Sequence, residues 1–91
     1  MSEKKLVRRL AHRFDVPLQV ASFLLLLIKN EIVDANLVYD ELGAVDLRGL
    51  AYKLRKGLKN KHPDVMIQSR KRIGYWLPDT HRKQFHTEIA E

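Results

Sequence analysis

Ninety-one residues suit one small domain with a single modest core. Hydrophobic residues make up 45% of the chain, too many for a disordered tail, and the lack of cysteine excludes a disulfide framework or a thiolate metal site. The net charge of +6 is unevenly placed: residues 1–45 carry six Lys/Arg and six Asp/Glu, whereas residues 46–83 carry eleven Lys/Arg against Asp46, Asp64 and Asp79.

Such segregation predicts one positive flank, either a polyanion-binding face or an ordinary solvated basic surface. The most apolar run, "VASFLLLLI" (20–28), has nine residues, about half of the roughly 20 needed to span a bilayer. The first residues lack the apolar core and cleavage pattern of a signal peptide. Together with the missing cysteines, this points to a soluble cytoplasmic protein.

In chain order, "EKKLVRRLAHRF" (3–14) comes first, with Leu6, Leu10 and Phe14 recurring every four residues beside Val7 and Ala11. Cations cover the other sides, so the pattern is an amphipathic helix with its stripe on a core. Pro17 disfavours helical geometry at Val16 and suits the start of a new helix. That second helix, about 17–29, is apolar on most faces and should be the most buried. Ile32 and Val33 suit a short extended piece. Asp34 is an N-cap candidate for a third helix, about 35–42, and Gly43 is its expected left-handed stop.

Only "GAV" then precedes Asp46, a second N-cap candidate, and "LRGLAYKLRKGLKN". Leu47, Leu50, Ala51, Leu54 and Leu58 share one face of this fourth helix. Arg48, Tyr52, Lys53, Arg55, Lys56 and Lys59 take the other. Gly49 and Gly57 each weaken it by about 1 kcal/mol relative to Ala. "NKHPD" should end it near Asn60. From Val65 the period changes from 3.6 to 2. Val65, Ile67 and Ser69, then Ile73, Tyr75 and Leu77, mark the inward face of a hairpin over 65–77, and Trp76 faces away. Its tip is "RKR" (70–72), and Pro78 ends it. The polar tail, 81–91, forms a short helix through Phe85 and Ile89 or stays mobile. The boundaries are therefore one domain over 1–80, with 1–16 as an extra N-terminal helix.

The expected fold is mostly α with a small β-hairpin: a winged helix-turn-helix of about four helices and a C-terminal wing. Two short helices joined by a tight turn, the second cationic, make the helix-turn-helix. A helix that is apolar on one side and cationic on the other can pack on a core and still enter a major groove. Arg and Lys on a hairpin tip suit the negative potential of a minor groove.

The segment "YKLRKGLKNKHPDVMIQSRKRIGYWL" resembles the OmpR/PhoB-type winged-helix DNA-binding domain. Lys53, Leu54, Arg55, Lys56 and Leu58 match that family's "RLRKKL"-like recognition-helix segment. Ile67, Ser69, Lys71, Gly74, Tyr75 and Leu77 match its wing, roughly "I-x-T-x-R-G-x-G-Y-x-L". The resemblance covers about residues 17–78. It implies a DNA-binding domain in which Lys71 is the minor-groove cation. This sequence departs from the family in four ways. It is expected to stand alone, without a receiver domain. The loop before the recognition helix is shorter, which disfavours contact of that loop with RNA polymerase. The 3–14 helix stands where the family has N-terminal strands. Arg72 stands in place of the wing glycine.

From the residues and the resemblance together, the expected DNA-contacting set is Arg48, Tyr52, Lys53, Arg55, Lys56, Lys59, Arg70, Lys71 and Arg72. Arg48, Tyr52, Lys53 and Lys56 face the groove, with Arg55 and Lys59 on phosphates; Tyr52 has the alternative of folding onto the core. The expected function is sequence-specific binding of double-stranded DNA by a small bacterial or phage transcriptional regulator, cytoplasmic and nucleoid-associated, alone or as a dimer on DNA. The competing reading is a winged-helix module that docks RNA polymerase or another regulator. A membrane-surface role for residues 3–14 is weaker, because that helix has a core to cover. No cofactor and no metal are expected. His81 and His86 stand five apart, one more than a helical ligand pair prefers, and no nucleophile elbow, phosphate loop or carboxylate pair suggests an enzyme.

Overall fold

Because its apolar residues leave almost no polar face, the second helix becomes the centre around which the others pack. The computed structural model describes residues 3–43 and 46–90. The elements are α1 (Glu3–Phe14), α2 (Leu18–Lys29), α3 (Ala35–Leu42), α4 (Leu47–Lys61), β1 (Gln68–Arg70), β2 (Gly74–Trp76) and α5 (Asp79–Ala90). The fold is mostly helical with one small antiparallel hairpin, in winged helix-turn-helix order. No single helix among the described residues is long and apolar enough to cross a membrane.

α2 buries Val20, Ala21, Phe23, Leu24, Leu25, Leu27 and Ile28 against α1, α3, α4 and α5. Phe23, Leu24, Leu27 and Ile28 are fully excluded from solvent, and at about 1.5–3 kcal/mol for each large apolar side chain this helix anchors the core. α1 and α2 meet at a bend of 109° across residues 15–17. The turn uses Asp15 at φ 52, a left-handed conformation that Asp tolerates better than most residues.

The caps are partly as expected. The Asp34 carboxylate accepts from the Leu37 amide at 2.8 Å, and Gly43 ends α3 in the left-handed region at φ 71. Asp46 occupies the N-cap position of α4, but its side chain accepts no capping hydrogen bond. The carboxylate instead lies over Gly49, where an added Cβ would stand 2.6 Å from Oδ2. The expected tight connection falls on residues 44 and 45, which lie outside the described residues.

The hairpin is shorter than its alternating pattern. Its register pairs Gln68 with Trp76, Ser69 with Tyr75 and Arg70 with Gly74. Val65, Ile67 and Leu77 are buried at its base, whereas Ser69 and Ile73, expected inward, are exposed because the tip extends beyond the core. Val33 adds one residue of a third strand: its N–H donates to the Tyr75 carbonyl at 2.8 Å, and the Tyr75 N–H donates back at 2.9 Å. Gly74 makes that approach possible, since a Cβ there would meet the Val33 carbonyl oxygen at 2.5 Å.

The tail is a helix. Phe85, fully buried, packs edge-on to Phe14 at 5.8 Å and to His62 at 5.5 Å, beside the C-terminal end of α4. Phe85, with Ile89 packed beside the core, anchors an otherwise polar helix, and α4 keeps its outward side exposed.

Candidate nucleic-acid interface

Successive residues step about 100° around a helix, so the five buried residues of α4 (Leu50, Ala51, Leu54, Gly57 and Leu58) define one narrow stripe. The remaining arc runs from Arg55 and Arg48 at one edge, through Lys59, Tyr52 and Lys56, to Asn60 and Lys53 at the other. All seven of those side chains are exposed. Tyr52 keeps 65% of its surface accessible, so it does not fold back on the core, and the Lys56 ammonium stands 6.0 Å from its ring centre.

At the first edge α4 meets the hairpin. Arg48 lines an open cleft of about 680 Å³ together with Arg70, Lys71 and Arg72, and the start of α3 forms its far wall. The structure thus brings one cation of α4 and the whole charged tip into a single concavity. The tip is a four-residue turn closed by the Ile73 N–H donating to the Arg70 carbonyl at 3.0 Å. Arg72 holds φ 70 in that turn, a left-handed conformation that favours glycine. Arg72 presents a cation from that conformation.

Arg55 also makes contacts within the protein. Its Nη2 donates to the Ile67 carbonyl at 3.0 Å, and its guanidinium stands 5.8 Å from the Tyr75 ring centre. Tyr75 in turn packs edge-on to Phe23, centroid to centroid at 6.1 Å. Arg55 therefore ties the base of the hairpin to α4 through its Nη2, while its side chain stays exposed. Such a charged hydrogen bond and cation–π pair contribute about 1–2 kcal/mol at a half-exposed site.

At the other edge α4 meets the corner between α1 and α2. Lys53, Lys56, Asn60 and Lys61 line a cleft of about 360 Å³ with Asp15 and Pro17 on the opposite wall. Lys59 lines neither cleft and projects from the outward arc. Lys61 is the residue that sequence reading misses. With the helix ending near Asn60 it belongs to a turn; the structure carries α4 one residue further and sets Lys61 beside the corner.

Among the described residues no group of three His, Cys, Asp or Glu side chains is arranged to hold a metal ion. His62 caps α4 through its backbone, donating to the Leu58 carbonyl at 2.6 Å, while its ring sits between Phe14 and Phe85. Comparison with known proteins found no matching family model, no matching curated protein and no matching solved structure. The likeness to the OmpR/PhoB-type domain therefore rests on the residues that carry it.

Proposed function

We propose that this protein binds double-stranded DNA sequence-specifically as a small bacterial or phage transcriptional regulator in the cytoplasm, with α4 in the major groove and the hairpin in the adjacent minor groove. The observation that carries this reading is the shared cleft of Arg48, Arg70, Lys71 and Arg72 beside an uncovered α4 face. Only a helix or a thin ribbon fits a major groove, about 12 Å wide, and the outward arc of α4 offers it cations, an amide and a phenol. The longest dimension of the protein, 33 Å, is about one helical turn of duplex, so one copy covers at most about 10 base pairs and a longer site needs a second.

Contact with six to eight phosphates gives a slope of log K against log salt on the order of −5 to −7. Electrophoretic shift of a random duplex across a salt series measures it, and selection from a random library gives the preferred site. Lys71→Ala should weaken all sequences alike and flatten the slope by about one unit. No shift even at low salt would favour the competing reading, a module that docks a transcription protein. That alternative expects contact through α1 and the tail with Phe85; Phe85 is fully buried, and Tyr39 on α3, 67% exposed beside Asp40 and Glu41, offers a surface instead.

A further inference from the structure

A helix seated in a major groove lies between two sugar–phosphate strands, one at each edge. The hairpin tip accounts for one edge of α4. The other edge is the Lys53 side, and there the protein is concave rather than bare. Gly57 is the cause: a Cβ at that position would meet Val16 Cγ1 at 2.6 Å and the Phe14 carbonyl oxygen at 3.3 Å. Without one, the 14–17 corner seats directly against α4, and its backbone forms a wall facing the lysines.

Lys53 and Lys61 make no ion pair among the described residues, whereas Lys29 pairs with Glu3 and Arg82 with Asp79. Asp15 lines the same cleft without pairing to either lysine, so three lysines outnumber one carboxylate there. An unneutralised concavity of cations on an exposed helix edge is suited to an anion supplied from outside.

We propose that this second cleft grips the duplex strand bordering the major groove on the side away from the hairpin, with Lys53 and Lys61 binding its backbone phosphates. The inference rests on the DNA reading and extends it. The protein holds DNA at two separated strands, with α4 between them, and Pro17, the N-cap of α2, lines the contact. The 14–17 corner, which comes from the helix that the resembled family lacks, thereby becomes part of the interface.

The test uses the full chain as Lys53→Ala/Lys61→Ala, with Lys71→Ala alongside and circular dichroism to verify unchanged helix content. On random duplex the double variant should flatten the salt slope by about two units, and Lys53→Arg/Lys61→Arg should restore it. Ethylation interference on the selected site should show two tracts of sensitive phosphates in the unsubstituted protein. The double variant should lose the tract that Lys71→Ala retains. An unaltered slope, or loss of the same tract as Lys71→Ala, would overturn the second grip while leaving DNA binding intact. Failure of the unsubstituted protein to bind any duplex would overturn both readings.

Discussion

The two edges of α4 are fastened to the rest of the protein by opposite means. At the hairpin edge a long side chain spans the gap: Arg55 bonds the Ile67 carbonyl and lies over Tyr75, which is itself seated on Phe23 and paired with Val33. At the corner edge a side chain is missing, and Gly57 lets Val16 and Phe14 close in. The Arg55 contact reaches only the base of the hairpin, whose tip extends beyond the core, whereas the corner backbone approaches α4 directly.

The corner should break first. Gly57→Ala adds a methyl against Val16 and the Phe14 carbonyl, an overpacking cost of about 1–3 kcal/mol that exceeds the gain of up to about 1 kcal/mol in helix propensity. Thermal unfolding should show a lower Tm, by about 4–8 °C for each kcal/mol of net loss. An unchanged or higher Tm would mean that the corner does not rest on α4.

A smaller effect is expected at the tether. Arg55→Ala should cost about 1 kcal/mol, with faster amide exchange at Val33 and Tyr75 and little change in helix content. Arg55→Lys should behave almost alike, because an ammonium cannot reproduce the planar fork. The salt slope for DNA should stay the same in both. A slope flatter by one unit in Arg55→Ala would return this residue to the phosphates and dissolve the contrast between the edges.

The smallest change concerns the tip. Arg72→Gly relieves a left-handed conformation that costs a bulky residue about 1 kcal/mol or more, partly offset by the greater freedom of glycine in the unfolded chain. The variant should be more stable by up to about 1 kcal/mol yet bind duplex with a slope flatter by about one unit. Reduced stability together with unaltered binding would contradict the view that strain is retained here for the sake of a cation.

Most of the element boundaries were legible because they follow from local periods. Leu6, Leu10 and Phe14 mark one turn after another of α1, and the shift from 3.6 to 2 near Val65 marks the hairpin within a few residues of its strands. The cap at Asp34 and the stop at Gly43 were legible too, since each depends on neighbours within four residues. Asp46 shows the limit of that rule. It has the residue type and position of a cap, but glycine three places on leaves room for its carboxylate to lie elsewhere.

The sequence by itself determined which residues are cationic and which arc of α4 they occupy, because helical geometry converts spacing into direction. It also determined that residues 20–28 are central, since an all-apolar helix has nowhere else to go. Only the tertiary structure decided which edge of α4 meets the hairpin and which meets the corner. That choice joined Arg55 to the base of the hairpin, left Ser69 and Ile73 outside, set Arg48 beside the tip and drew Lys61 to the Phe14–Pro17 wall. The reason is physical: periodicity reports the direction of a side chain from its own helix axis, whereas its neighbours are set by packing between residues far apart in the chain.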